Sequence, residues 1–365
     1  MHFGEPLEEP RLEALVRPGA GIDTVITADV YGEGEADTLL GRALAGVARE
    51  SYCLVGAIGH DFYAGTREGA KGFPRFTDPR LRSERDYAAY LRMACERSLE
   101  RVGADSFDLL LLHNPDRTGY TSSTVWAGMQ ALREQGLTRL LGVAPGPANG
   151  FTLDVIDCFE RFGELIDWSM IILGPLEPWP GELVLEAAAR NRVKLITRVV
   201  DYGGLFHDDV RADHVFAPRD HRAFRPEGWV GEGLARIERM RPYAERHGLT
   251  MLQLACQWNL AHEPVRCVCP TLTQESGSSR AIEHKRDELA ALPRERLLST
   301  SEVRELRAIG DNTGCMALKG ASLEHDGQPL ADRWPVSDEL RTLGARWGID
   351  PARDLCRTRD AASVA

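Results

Sequence analysis

The chain contains very little lysine. Of its 365 residues, 44 are lysine or arginine, and lysine occupies only four of these positions, namely Lys71, Lys194, Lys285 and Lys319. Arginine therefore carries nearly all of the positive charge. Because arginine stays protonated while lysine can be tuned to act as a base or a nucleophile, lysine-dependent catalysis has few candidates here.

Excess positive charge is also absent, since the formal net charge is -11. Nucleic acids and anionic membranes bind basic surfaces, so this balance argues against both as partners and favours a small-molecule substrate. No segment approaches ~18 uninterrupted apolar residues, and the start of the chain has no basic stretch followed by an apolar one. We therefore expect a cytoplasmic protein without a membrane span.

Disulfides and metal sites have no sequence support. The eight cysteines are scattered, several within apolar runs, which predicts reduced thiols. Cys267 and Cys269 point to one face of a predicted strand, but a zinc site needs further ligands at suitable spacing. Metal-capable side chains also crowd one loop without recognisable ligand spacing, so we expect a solvated acidic lid and no metal; they are His207, Asp208, Asp209, Asp213, His214, Asp220 and His221.

Short apolar runs alternate with segments of helical period. The predicted strands are Asp23 to Asp29, Cys53 to Gly59, Phe107 to His113, Leu140 to Ala144, Trp168 to Leu173, Lys194 to Asp201 and Val265 to Pro270. The predicted helices are Glu35 to Glu50, Glu84 to Arg101, Ser123 to Glu134, Leu153 to Arg161, Gly181 to Arg190, Gly231 to His247 and Thr250 to His262. This alternation predicts an α/β fold with a parallel (β/α)8-type barrel over residues 1–312. Residues 313–365 are predicted to wrap the barrel, with one short helix near Ser337 to Trp347.

Polar side chains cluster at the C-terminal ends of these strands, where barrel enzymes build their active sites. They are Asp29, Tyr31, His60, Asp61, Tyr63, His113, Asn114, Asp116, Arg198, Asp201 and Tyr202. A neutral tyrosine, histidines and carboxylates form a plausible acid–base set.

Three segments resemble the aldo-keto reductase superfamily. Ile26 to Gly32 lies over the family's Asp-Thr-Ala-x-x-Tyr-Gly signature, and Ser98 to Asp108 with the strand into His113 resembles its third helix and fourth strand. Leu132 to Val143 resembles the segment leading into its fifth strand. The similarity covers about residues 20–312, in the family's order.

This resemblance implies a catalytic tetrad that is incomplete. The family uses a Tyr as general acid, a His that orients the carbonyl, and a Lys and an Asp that lower the Tyr pKa. Tyr31 and His113 match the first two, but Ile26 stands at the Asp position and Ala57 at the Lys position. Among the four lysines, only Lys71 lies in a loop that could reach the site.

The cofactor motifs implied by the resemblance are altered too. Ala144-Pro145 replaces the pair that holds the nicotinamide amide, and Asp201 lies in the expected pyrophosphate loop, where it would repel phosphates. Glu288 stands at the adenine-contacting position. We therefore expect no cofactor; the alternative is NADPH or NADH held by backbone groups around Gly203 and Gly204.

The resemblance also implies that the first strand and the N-terminal hairpin are truncated, since about twenty residues precede the family's second strand. Met1 to Gly4 is then either the stub of a trimmed strand, or the open edge is covered by another segment or by a second subunit. A homo-oligomer is one way to complete the barrel.

Three classes of function follow. The first is redox-neutral acid–base chemistry on a small oxygenated metabolite: elimination, dehydration, isomerisation or cyclisation. Tyr31 would be the general acid, His113 an orienting donor or base, and His60 or Asp61 a second proton acceptor. The predicted substrate-binding residues are Asp29, Asn114, Arg198, Asp201 and Tyr202. The alternatives are an NAD(P)H-dependent carbonyl reductase and a non-catalytic binding or regulatory barrel.

Overall fold

A computed structural model describes residues 3–68, 72–146, 151–216, 220–225, 227–313 and 336–355. In these residues seven parallel strands form one sheet in sequence order. The strands are β1 (Thr24–Ile26), β2 (Cys53–Ile58), β3 (Phe107–His113), β4 (Thr138–Ala144), β5 (Trp168–Ile172), β6 (Lys194–Arg198) and β7 (Val265–Cys269). Helices separate them, so all the strands end on the same rim. The predicted (β/α)8-type barrel is confirmed.

All seven predicted strands are present, and the differences are at their ends. β1 ends at Ile26, although the backbone N–H of Thr27 and of Asp29 still donate to carbonyls of β2. β6 ends at Arg198 because Val199 has a φ of 62°, which takes the chain out of the extended conformation. The prediction that β6 continues to Asp201 is therefore wrong.

The helices surround the sheet. They are α1 (Glu9–Val16), α2 (Glu35–Leu44), α3 (Tyr87–Val102), α4 (Arg117–Thr121), α5 (Ser123–Glu134), α6 (Thr152–Phe162), α7 (Leu185–Arg190), α8 (Trp229–His247), α9 (Met251–Leu260), α10 (Ile282–Ala290), α11 (Thr300–Ile309) and α12 (Asp338–Arg346). The bounds of α5 agree with the prediction, since Ser122 caps it. The sequence pattern missed α1, α4, α10 and α11, which have ten residues or fewer.

The core has two layers. Large apolar side chains fill the space between sheet and helices. A second, smaller cluster fills the inside of the barrel, with Ala28, Val55, Ala57, Leu109, Leu111, Ala144, Met170 and Ile196. Several of these inner side chains are alanines, so the interior is not filled up to the rim.

The ring of strands has a gap between β7 and β1, which do not pair with each other in the described residues. Helix α1 bridges this gap on the outside, where Arg11 pairs with Glu283 of α10 (Nε to Oε1, 2.6 Å). The backbone N–H of Glu5 donates to the carbonyl of Gln274, after β7, at 2.9 Å. The described residues before β1 thus contain a helix and a short backbone contact but no strand.

The described part of the C-terminal extension lies against the outside of the barrel. Helix α12 forms where a short helix was predicted, and Trp347 donates its ring N–H to Glu160 of α6 at 2.7 Å. No helix in the described ranges combines the length and apolar character that crossing a membrane requires. The proposed division at residues 312 and 313 stays a prediction.

Candidate active site

A cavity of about 120 Å³ opens at the C-terminal rim of the barrel and extends into its interior. It is lined by side chains from the ends of β1 to β6 and the residues after them, namely Ile26, Thr27, Ala28, Tyr31, Ala57, Leu111, His113, Asn114, Ala144, Pro145, Met170 and Arg198. Tyr31, His113, Asn114 and Arg198 are four of the residues predicted from the sequence, and the fold brings them together here.

Tyr31 lies in the turn that leads from β1 into α2. Its backbone N–H donates to the carbonyl of Ala28 at 2.9 Å, and the turn ends at Gly34, whose φ is 100°. A Cβ at Gly34 would also lie 2.8 Å or less from the Arg101 side chain, so the turn requires glycine there. The Tyr31 ring is 54 % exposed at the mouth of the cavity.

The Tyr31 hydroxyl is a proton donor at neutral pH. The protein around the mouth desolvates it and raises its pKa above the ordinary value of 10, although the positive charge of Arg198 acts in the opposite direction. No lysine is among the described residues that line the cavity; Lys71, which the sequence left as a candidate, lies outside the described residues.

His113 ends β3 and contacts Tyr31 edge to face, with the ring centroids 5.7 Å apart and the planes at 90°. Burial holds its pKa well below 6.5, and the positive charges of Arg75 and Arg198 add to this effect, so the imidazole is neutral. Its Nδ1 atom is buried and has no hydrogen-bond partner in the described residues. Nε2 is therefore the nitrogen through which His113 can reach a molecule in the cavity.

His60 packs behind His113, with the ring centroids 5.1 Å apart, and does not line the cavity. The side-chain amide of Asn114 donates to its Nε2 at 3.1 Å, and its Nδ1 lies 3.0 Å from the carbonyl of Phe73. With Nδ1 as the donor, these two contacts are satisfied by one neutral tautomer; Nη1 of Arg75 also lies 3.2 Å from Nδ1 and would instead donate to it in the other tautomer. Burial and the nearby Arg75 lower the pKa of His60 to about 3. Both ring nitrogens are used, so His60 is placed to orient His113 and Asn114.

Arg198 brings the positive charge to this cavity. It is the last residue of β6, and its Nη2 donates to the carbonyl of Pro145 at 3.0 Å. It has no ion-pair partner among the described side chains, and burial lowers its pKa. A guanidinium with free donors in a partly dry cavity suits an anionic ligand.

Two predicted site residues lie behind the strands instead of in the cavity. Asp61 is fully buried; it pairs with Arg82 and accepts the backbone N–H of Tyr63 at 3.1 Å, so its carboxylate stabilises the loop after β2. Asp29 is fully buried and has no side-chain hydrogen-bond partner in the described residues. Burial, with the charge of Asp37, raises its pKa well above 3.8.

Asp201 connects two loops on the other side of the rim. Its buried carboxylate accepts the backbone N–H of Gly204 at 2.7 Å and that of Thr271 at 2.6 Å. It therefore occupies backbone amides of the loops after β6 and β7. Tyr202 and Gly203 also face away from the cavity: the Tyr202 ring packs on Trp229, with centroids 5.9 Å apart.

The cations beside these loops are paired with acids of the same chain. Arg222 is 1 % exposed, and its Nη2 contacts Asp220 at 2.7 Å and Glu275 at 2.9 Å. Lys285 is fully buried and pairs with Asp209 at 2.7 Å. Arg280 pairs with Glu288, and Arg225 stacks on the rings of Tyr202 and Trp229 without an ion-pair partner in the described residues.

These contacts correct the expectation of a solvated acidic lid. Asp209 and Asp220 are held in buried ion pairs, and His207 is buried with its Nε2 2.9 Å from the carbonyl of Thr271. No group of three or more metal-capable side chains comes together in the described ranges. The six cysteines found there are free thiols, and burial raises the pKa of Cys269 to about 11.

The sequence reasoning missed Arg75. It lies in the long irregular segment after β2, where no periodic pattern marks it, yet it is buried and its Nε donates to the carbonyl of Asn114. Asn114 has a φ of 45°, so this contact supports a backbone conformation that is costly for most residues. An isolated β-bridge between His60 and Arg75 holds this segment against the end of β2. No local sequence pattern predicts this tertiary contact.

Comparisons with known proteins identify the family of this chain. The model of the aldo/keto reductase family matches residues 8–311, and the chain belongs to that family. A probable voltage-gated potassium channel subunit beta of Oryza sativa subsp. japonica is 23 % identical over 284 residues, which cover 75 % of this chain and 81 % of that protein.

Two solved structures share the fold. A glycerol dehydrogenase from Gluconobacter oxydans has a TM-score of 0.62 and 21 % identity, covering 88 % of each chain. An aldo-keto reductase from Klebsiella pneumoniae, solved in complex with NADPH, has a TM-score of 0.55 and 20 % identity over 84 % of this chain and 87 % of that one.

The residues around Gly204 do not fit a dinucleotide pyrophosphate. Such a group needs free backbone amides or free cations. The amides of Gly204 and Thr271 already bind Asp201, and Arg222 and Glu275 fill the space against Gly204, where a Cβ would lie 3.1 and 3.0 Å from them.

Proposed function

We propose that this protein is an aldo-keto reductase family enzyme that performs redox-neutral acid–base chemistry on a small oxygenated molecule. The reaction would be an elimination, a dehydration, an isomerisation or a ring closure. One observation carries the proposal: Tyr31 and His113 meet in a cavity whose described lining contains neither a lysine nor a carboxylate. Ile26 and Ala57 line that cavity at the positions matched to the family's Asp and Lys, which supports a degenerate tetrad.

Tyr31 is the general acid in this proposal. Its hydroxyl keeps its proton at neutral pH, so it can protonate a substrate oxygen. The neutral His113 accepts or returns a proton through Nε2, while Asn114 and Arg198 hold the polar groups of the substrate. His60 is a positioning residue, because both of its nitrogens are engaged.

The remaining sequence-predicted residues have no catalytic part in the proposal. Asp61 stabilises a loop through Arg82, and Asp29 is enclosed behind β1. Asp201 binds backbone amides, and Tyr202 packs against Trp229. A proton acceptor needs to be within reach of the substrate, which these side chains are not.

A reductase that uses NADPH is the second candidate, and one specific observation favours it: a structural neighbour is solved with that cofactor. Its dinucleotide would lie against Gly203 and Gly204, where Arg225 is the cation without an ion-pair partner in the described residues. The carboxylate of Asp201 on the amides of Gly204 and Thr271 supports the redox-neutral candidate instead.

Titration with NADPH and NADH separates the two candidates. The measurement follows nicotinamide fluorescence and the melting temperature, and we expect neither to change. A ligand at ~100 times its dissociation constant would add ~2.7 kcal/mol to the stability, which a melting curve detects easily. Tight binding of either nucleotide would exclude redox-neutral chemistry as proposed.

The acid role is tested with Tyr31→Phe on any substrate that is turned over. Loss of the hydroxyl removes the proton donor, so we expect turnover to fall by about 10²- to 10⁴-fold. The half-exposed ring stays in place, so the melting temperature should remain that of the wild type. Unchanged turnover would show that Tyr31 is not the acid, and turnover absent in the wild type on every oxygenated substrate class would favour a binding or regulatory barrel.

A further inference from the structure

The cavity has two chemically different ends, and these define a ligand. We infer that it binds a small monoanion whose carboxylate pairs with Arg198 and whose short apolar chain extends down the barrel axis. The inference rests on the proposed function, because it names the substrate class of the same site. The substrate would carry its reacting oxygen at the rim beside Tyr31, and the plain acids used in the test are probes of binding only.

The anionic end is set by Arg198. Its guanidinium lines the cavity, and the carbonyl of Pro145 uses one of its donors. Among the described residues no carboxylate lines the cavity; the charge of Glu177 acts on Arg198, but the two do not form an ion pair. A guanidinium has five N–H donors in a planar fork, so the free ones match the two oxygens of a carboxylate.

The apolar end is formed by strand residues. Ala57, Leu111 and Met170 lie one or two residues before the ends of β2, β3 and β5 and form the floor of the cavity, while Ile26 and Ala144 end β1 and β4 at the rim. None of these side chains donates or accepts a normal hydrogen bond. The neighbouring Thr27 hydroxyl is already donated to Asp37 at 2.7 Å. A polar group placed at this depth would lose its bonds to water, whereas a methylene group gains from burial.

The volume limits the length of the chain. The cavity measures about 120 Å³, so it holds a short acid and excludes a long one. A larger side chain at Ala57, on the floor, would shorten the space further.

The test is a binding series with the intact wild-type chain. Straight-chain monocarboxylates from acetate to octanoate, and the matching primary amides as neutral controls, are titrated by calorimetry without any nucleotide. We expect affinity to rise about fourfold for each methylene group, to reach a maximum within the series, and to fall for longer acids. Each amide should bind at least tenfold more weakly than its acid.

Two variants examine the two ends separately. Arg198→Gln keeps a planar donor but removes the charge, so it should abolish the preference for acid over amide. Ala57→Leu fills the floor and should move the optimum to shorter acids; Ala57→Val is the milder replacement if the leucine variant does not fold. Three outcomes would each overturn the inference. They are equal affinity of the wild type for acids and amides, no binding of any acid, and an optimal chain length that is the same in the wild type and in both Ala57 variants.

The series also distinguishes this inference from the proposed function. Binding is measured without turnover, and Tyr31→Phe should leave the chain-length optimum unchanged. A flat series with an active Tyr31-dependent enzyme rejects only the ligand class, whereas a clear optimum without turnover rejects only the chemistry.

Discussion

The C-terminal rim of the barrel carries polar side chains both around the cavity and around the loops after β6 and β7. The two groups differ in how their charges are paired. Around the cavity, Arg198 has no ion-pair partner in the described residues. Around the loops after β6 and β7, by contrast, Asp201 binds two backbone amides and Arg222 contacts two carboxylates.

This difference distinguishes residues that can bind a ligand from residues that stabilise the fold. When one partner of a buried ion pair is removed, the other charge stays buried without compensation and the protein loses much stability, so such pairs act as structural elements. Polar groups left free in a cavity cost stability and are kept where a ligand satisfies them. The cavity side is therefore the place to look for substrate, and the loop side holds the fold together.

The largest expected effect on stability comes from removing a cation of the paired network beside the loops after β6 and β7. Arg222→Met leaves the buried carboxylates of Asp220 and Glu275 without their cation, so we expect a loss of about 3–5 kcal/mol in the free energy of unfolding. Urea denaturation of the wild type and the variant measures it.

Arg241→Met is the matched control. Arg241 pairs with Asp208 and Glu238, but it lies on the surface of α8, where such pairs contribute about 1 kcal/mol or less. Similar losses for the two variants would contradict the assignment of Arg222 to a buried structural network.

A smaller loss is expected from Asp201→Ala, which leaves the N–H groups of Gly204 and Thr271 without their acceptor. The cost should be about 1–3 kcal/mol, because a buried group without a partner loses its solvation. The freed amides should also let inorganic pyrophosphate raise the melting temperature of the variant but not of the wild type. Stabilisation of the wild type by pyrophosphate would show that Asp201 does not block an anion.

The dependence of stability on acid pH tests the histidine that packs behind the cavity. The pKa of His60 is lowered from 6.5 to about 3, so between these values the unfolded chain binds a proton that the folded chain does not. Stability therefore falls as the pH drops from 6.5 toward 3, by about 2–3 kcal/mol from this residue at pH 4.5.

Removing the imidazole should flatten that profile. His60→Gln is expected to lose stability less steeply with acid than the wild type, as measured by urea midpoints across this range. His284→Gln, on the exposed side of α10, is the control and should keep the wild-type slope. Equal slopes for all three proteins would mean that His60 is not held neutral.

Part of the site was predictable because it depends on strand ends. Tyr31 follows a short apolar strand and His113 ends a longer one, and parallel strands place their C-terminal ends together. The same rule selected Asp61 and Asp201, but it does not tell whether a side chain faces the barrel axis or a neighbouring loop. Arg75 had no signal, because a buried arginine in an irregular segment resembles any surface arginine in sequence.

The sequence by itself determined the alternation of strands and helices, the family, and the presence of Ile26 and Ala57 at the matched tetrad positions, because these depend on local patterns and residue identity. Only the tertiary structure decided which charges remain free. Asp201 and Arg198 lie three residues apart, yet the turn at Val199 directs one carboxylate to backbone amides and leaves one guanidinium in the cavity. Pairing depends on contacts with residues distant in the chain, such as Thr271, and no local pattern encodes these contacts.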